Sequence, residues 1–135
     1  MIGIVTMPDE DNPHNTSVVS NYYVQEFERF GARVVPVFHA KPEDELVKLL
    51  QQINGVFFTG GSLDLCDSKG NFNSYTLTAQ IIWDYARDEF NSGGYFPMWG
   101  TCQGFQLFHI LASGECEVLI NSHSTNHNAK LFYQP

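Results

Sequence analysis

The sequence predicts an α/β domain, a mostly parallel sheet in three layers with helices on both faces, and three observations predict it. Short apolar runs that read as buried strands alternate with runs of helical period, the signature of consecutive βαβ units. Two of those strands end in glycine-rich turns, Gly60-Gly61-Ser62 and Gly100-Thr101-Cys102-Gln103-Gly104. Both turns fall at the carboxyl edge of the sheet, where open α/β sheets bind ligands. There is no internal repeat and no interdomain linker, so the 135 residues form one domain.

Met1 to Met7 is a short apolar run closed by Pro8 and a turn-rich stretch through Thr16, which predicts a buried first strand and a loop. From Ser17 to Phe30 the apolar residues Val19, Tyr23, Phe27 and Phe30 recur at helical spacing, with Thr16 or Ser17 as N-cap and Gly31 as the stop. Arg33 to Phe38 is β-branched and apolar enough for a second strand, and Pro36 puts it near a sheet edge or a strand end. Glu43 to Ile53 carries Leu46, Leu49, Leu50 and Ile53 on one helical face, with acidic residues in the first turn as the helix dipole prefers. Gly55 to Thr59 is a third buried strand. Ser74 to Phe90 reads as a helix whose faces are marked by Leu77, Ile81, Trp83 or Asp84 and Asp88, ended by Gly93-Gly94. Phe96 to Gly100 is the fourth strand, Phe105 to Ala112 its helix, and Glu117 to Ile120 one more short apolar run. From Asn121 the pattern fails, and the alternation breaks off before a closing strand or helix.

The strongest chemical indication is Gly100-x-Cys102-x-Gly104. A strand that turns at once into a helix holds the middle residue in a strained conformation that only small neighbours tolerate, and it pushes that side chain out at the sheet edge. The helix N-terminus and the N–H groups that follow then face any developing anion. Cys102 is therefore the candidate nucleophile rather than a buried structural cysteine. Gly60-Gly61 lets backbone N–H groups approach a ligand closely, because no Cβ obstructs them. Taken alone it would be an ordinary tight turn; beside a nucleophile elbow it reads as part of the same site.

Composition narrows the function classes. With a net charge of -8 and only seven Lys and Arg, the chain has no clustered positive charge for a nucleic acid or an anionic membrane. Eleven Phe and six Tyr point to a well-packed globule. The three cysteines, Cys66, Cys102 and Cys116, form no Cys-x-x-Cys pair and no disulfide framework, and their odd number leaves at least one thiol free. Cys66 reads as incidental. Met1 to Val5 is too short and uncharged for a secretion signal and no run reaches membrane-spanning length, so no membrane insertion is expected. Either the protein is made without a targeting segment or the chain has lost one.

Four pieces, in order, resemble gamma-glutamyl hydrolases, a family of the class I glutamine amidotransferase-like (flavodoxin-like) superfamily. They are Ile2-Gly3-Ile4, Phe30 to Val37, Ile53 to Leu65, and Tyr95 to Phe105, with Ser113-Gly114-Glu115-Cys116 extending the similarity. Residues 1–135 then correspond to the N-terminal portion of a single domain of this type, truncated at its C-terminus. The resemblance implies hydrolysis of the γ-linked glutamate tail of folate poly-γ-glutamates, or of related γ-glutamyl amides, through a thioester on Cys102. It implies an oxyanion hole made of the backbone N–H groups of Gly61 and Gln103, and substrate contacts from Gly60, Ser62 and Gln106. No cofactor and no metal are implied. Family members are typically secreted, lysosomal or vacuolar.

Two departures shape the expectation. The family's base is a histidine followed two residues on by a carboxylate, far downstream, and this sequence contains no such region. His109 lies two turns along the elbow helix and reads as a core or surface residue; His14 and His39 follow the first two strands and are poor substitutes. His123 and His127, at i and i+4, would need a helix to bind metal, and their surroundings are not helical. The second departure is Gln106, where the family has an acidic residue. Glutamine there resembles the wider amidotransferase pattern Cys-x-Gly-x-Gln, so a glutaminase with a synthase partner is a further reading. The two main ones are an active hydrolase completed by a base from elsewhere and a non-catalytic relative serving as a structural subunit. On either, an unpaired strand and bare apolar faces predict a second chain or a homo-oligomer.

Overall fold

The computed structural model describes residues 1–9, 16–120, 128, 130 and 132. In chain order the elements are β1 (Ile2–Val5), β2 (Met7–Pro8), β3 (Ser17–Val18), α1 (Asn21–Glu28), β4 (Val34–Val37), α2 (Glu43–Leu50), β5 (Val56–Phe58), α3 (Ser74–Asn91), β6 (Met98–Gly100), α4 (Gln103–Ser113) and a short 3-10 turn at Cys116–Val118. The four strands expected from the sequence form one parallel sheet in the order β4-β1-β5-β6, as an α/β domain requires. β4 is an edge, in keeping with Pro36, which is paired with Ile4 in register and exposed on its outer side.

The period-two pattern sorts the strands' side chains between two layers of helix. Val5, Val37, Val56 and Phe58 join Leu46 and Leu50 of α2, Tyr75, Ala79 and Ile82 of α3, and Leu107, Ile110 and Leu111 of α4 in one core. Gly3 belongs to this face, because a Cβ there would lie 2.7 Å from both Ile53 Cδ1 and Val37 Cγ2. On the opposite face Ile4 is fully buried, and Phe57 packs against Tyr23 and Phe27 of α1 at ring separations of 5.2 and 5.0 Å.

Three expectations are corrected. The helix expected from Ser17 starts at Asn21, capped by Ser20, whose hydroxyl accepts from Tyr22 N–H. Ser17-Val18 instead pairs antiparallel with Met7-Pro8. Thr16, Ser17 and Ser20 are all able caps, and the β-branched Val18 goes to the ribbon. Phe30, assigned to the helix's apolar face, is 80% exposed beyond its end. In α3 the buried stripe is Tyr75, Ala79, Ile82 and Ala86, and Leu77 points to solvent. The small alanines, not the larger leucine, let this helix lie close to α2 and α4.

The third correction concerns the cysteines. Cys66 and Cys116 form a disulfide across 50 residues, with Cα atoms 6.3 Å apart. Spacing along the chain gives no hint of it, because it depends on two things together. The loop from Leu63 folds back on itself through the Cys66–Phe72 bridge, and the chain leaving α4 turns toward that loop. Asp67 shapes the tip by accepting from the N–H groups of Lys69 and Asn71 and from the Asn71 side chain, which holds its carboxyl below the ordinary range.

Candidate active site

The elbow forms as the glycine spacing requires. Cys102 has φ 53° and ψ -109°, in a region costing a non-glycine residue on the order of 1–3 kcal/mol. The surroundings hold it there. A Cβ on Gly100 would meet the Gly104 carbonyl at 2.5 Å, and one on Gly104 would collide with the Phe58 carbonyl oxygen. Thr101 N–H donates to that same Phe58 carbonyl at 3.1 Å, tying the elbow to β5. The strain leaves the Cys102 thiol exposed at the carboxyl end of β6, and it is the free cysteine among the described residues.

Gly60-Gly61 lies beside it at the end of β5. A Cβ on Gly60 would sit 3.3 Å from Cys102 Cβ and 3.0 Å from the Tyr23 hydroxyl. Tyr23 accepts a hydrogen bond from Gly60 N–H at 3.2 Å. Among the described residues the N–H groups of Gly61 and Gln103 have no acceptor, and neither does that of Ser62. At Gly61 a Cβ would lie 2.5 Å from Met7 Cε and 3.0 Å from Gln103 Oε1, so a side chain there would have to displace the end of Met7.

The segment Gly61 to Leu63 separates two clefts. One of about 340 Å3 is lined by Met7, Pro8, Asp9, Val18, Gly61, Ser62 and Leu63. The other, of about 320 Å3, lies toward α4 and carries Gln103 and Gln106 on one wall and the Cys66–Cys116 disulfide on another. Ser62 and Gln106, expected to touch substrate, thus line different clefts. Cys102, Gly60, Gly61 and Gln103 come together; Gln106 stands one helical turn away, its N–H donating to the Cys102 carbonyl.

Neither described histidine reaches the thiol. His39 follows β4, three strands from β6, which at about 4.8 Å per strand is some 14 Å away. Its ring nitrogen Nδ1 pairs with Ser17 Oγ at 3.2 Å. His109 is a surface residue, its ring against Phe105, about 10 Å along α4 from Cys102 at 1.5 Å per residue. His14, His123 and His127 lie outside the described residues.

Two contributors were not visible in the sequence. Tyr23 reads there as one apolar position of α1, yet its phenol meets Gly60 at the thiol; only its polar tip could have suggested this. Gln103 enters the sequence argument through its backbone alone. Its side chain, 7% exposed, exchanges two hydrogen bonds with Leu63.

Comparison with known proteins finds relatives of this chain. The sequence profile of the Peptidase C26 family matches residues 1–134. The chain is 35% identical over 135 residues to gamma-glutamyl hydrolase B of Dictyostelium discoideum, covering 97% of this chain and 38% of that protein. Over 94 residues it is 44% identical to the human gamma-glutamyl hydrolase, covering 70% of this chain and 28% of the relative. Gamma-glutamyl hydrolase 1 of Arabidopsis thaliana is 31% identical over 125 residues, 88% of this chain and 34% of the relative. The chain therefore spans about a third of the length of these relatives. Its profile match, its identity to them and its mostly parallel α/β sheet make it a member of the gamma-glutamyl hydrolase family, Peptidase C26.

Proposed function

We propose that this chain carries the nucleophile and the oxyanion hole of a cysteine-dependent hydrolase of γ-glutamyl bonds, with folate poly-γ-glutamates or related γ-glutamyl amides as substrates. The observation that carries the reading is the exposed thiol of Cys102, held at positive φ beside two N–H groups with no other acceptor. The Cys102 sulfur adds to the γ-carbonyl carbon, and the carbonyl oxygen takes up negative charge between Gly61 N–H and Gln103 N–H. Collapse of this intermediate breaks the C–N bond, the amine leaves with a proton, and a γ-glutamyl thioester remains on Cys102. Water then adds to the thioester and releases the glutamyl acid and the thiol. The proton transfers need a base outside the described residues, since His39 and His109 are both out of reach.

Residues 1–135 then act as the N-terminal portion of one such domain, and a second chain or a second copy is the expected partner. Support comes from β6, which pairs only with β5 among the described residues, and from Trp99 on that strand, 69% exposed. A stable, monodisperse species of 15.3 kDa in solution would count against the partner. The absence of a histidine near Cys102 among the described residues favours a second reading, a structural subunit that keeps the elbow as a fold element.

The test is covalent trapping of the natively purified protein with the γ-glutamyl diazoketone 6-diazo-5-oxo-L-norleucine. Peptide mapping should place the adduct on Cys102 and find none in Cys102→Ala. Protection by a γ-glutamyl peptide is expected on the hydrolase reading. Folded protein that takes up no label would leave the structural reading standing.

A further inference from the structure

The two N–H groups proposed for the oxyanion hole belong to different elements, Gly61 to the loop after β5 and Gln103 to the first turn of α4. An oxyanion hole works only if such donors keep a fixed separation, because displacement of about 1 Å can cost on the order of a hundredfold in rate. The loop is secured at both ends. Upstream, Gly60 N–H is held by Tyr23. Downstream, the Asp64 carbonyl accepts from the Asn73 side chain and the Leu65 carbonyl from the Thr76 hydroxyl at 2.5 Å. Between these points, among the described residues, one side chain grips the loop backbone. Gln103 Oε1 accepts from Leu63 N–H at 3.0 Å, and Gln103 Nε2 donates to the Leu63 carbonyl at 2.7 Å.

We infer that the Gln103 side chain is a positioning residue that holds Gly61 N–H in register with the N–H of its own backbone. The inference rests on the proposed role of these two groups as the oxyanion hole. The geometry suits the task in three respects. Gln103 is 7% exposed, so little of it is open to competing water. Its two bonds go to both polar groups of one peptide residue, which fixes rotation of the loop as well as distance. Its oxygen also lies 3.0 Å from the place a Gly61 Cβ would take, so the clamp packs against the residue that carries the donor. A leucine would fill the same space and offer neither bond.

Gln103→Leu and Gln103→Glu, the second retaining only the acceptor for Leu63 N–H, test the inference in the full chain. Two readouts are needed. Amide hydrogen exchange over residues 60–65 should speed up in Gln103→Leu, and less so in Gln103→Glu, while α2 and α3 exchange as in the wild type. The rate of Cys102 modification should be compared between 6-diazo-5-oxo-L-norleucine, whose ketone oxygen must sit in the oxyanion site, and iodoacetamide, which makes no such demand. The ratio of these rates should fall at least about tenfold in Gln103→Leu. Wild-type exchange in the loop of both variants would overturn the inference, as would a loosened loop with an unchanged ratio. A wild-type protein that shows no preference for the diazoketone would instead overturn the oxyanion reading, and the inference with it.

Discussion

On one face of the sheet, α2, α3 and α4 cover β1, β4 and β5 so fully that Val5, Val37, Leu50, Phe58, Ile82 and Leu107 have no exposed surface. On the other, α1 packs on Phe57, none of its own residues is buried, and Tyr22 and Trp99 stay 70% and 69% exposed around a cleft of about 450 Å3. The two faces therefore do different work. The covered face supplies the stability of the domain. The barer face supplies Tyr23 to the candidate site and an apolar surface to whatever packs beside β6. The candidate site lies on the boundary, with its elbow anchored to the covered face through Gly104 and Phe58 and its glycine loop capped from the other.

The largest effect should come from the covered face. Leu50→Ala removes a fully buried side chain and should cost about 3–4 kcal/mol in urea unfolding. A loss near that of a surface substitution would break the contrast between the faces. At the rim of the covered face, Cys66→Ser opens a disulfide spanning 50 residues and should cost about 2–3 kcal/mol, below the roughly 4 kcal/mol that chain entropy alone gives for such a loop. Thermal scans with and without reductant should show the same loss in the wild type and none in the variant.

Within the covered core, the Tyr75 hydroxyl is buried with no hydrogen-bond partner among the described residues. Tyr75→Phe should stabilise the protein by about 1 kcal/mol, the cost of desolvating a group that gains no bond. Burial also pushes the Tyr75 phenol above its ordinary value of 10.0. The unfolded chain releases that proton first, so the tyrosine's contribution to stability is intact below pH 10 and is lost as the pH rises above it. Denaturation between pH 9 and 11 should show a steeper fall for the wild type than for Tyr75→Phe. The smallest effect on stability belongs to the barer face, where Trp99→Ser should change it by no more than about 0.5 kcal/mol. The same substitution should weaken self-association in sedimentation; a large loss of stability with no change in association would reverse the roles assigned to the faces.

The same contrast governs what the sequence could disclose. Features fixed by local sterics are legible: strands of consecutive apolar residues, the Gly-x-Cys-x-Gly elbow, the diglycine, and Pro36 at a sheet edge. Positions fixed by meetings between distant segments are not. Cys66 and Cys116 are 50 residues apart, Gln103 and Leu63 are 40 apart, and Tyr23 and Gly60 are 37 apart. Periodicity ranks residues by hydrophobicity, so in α3 it selects Leu77 over Ala79 and Ala86, although close packing between helices favours the small side chains. The start of α1 escapes for another reason, since three hydroxyl residues in five positions can each cap a helix and only the pairing of Val18 with Met7 selects Ser20.

The central claim is that Cys102, Gly61 and Gln103 form one site that receives a γ-glutamyl carbonyl. Its most direct test is a crystal structure of the protein after reaction with 6-diazo-5-oxo-L-norleucine. The ketone oxygen of the Cys102 adduct is predicted to lie about 2.7–3.1 Å from both Gly61 N and Gln103 N. An adduct oxygen turned to solvent, beyond hydrogen-bond reach of both nitrogens, would contradict the claim.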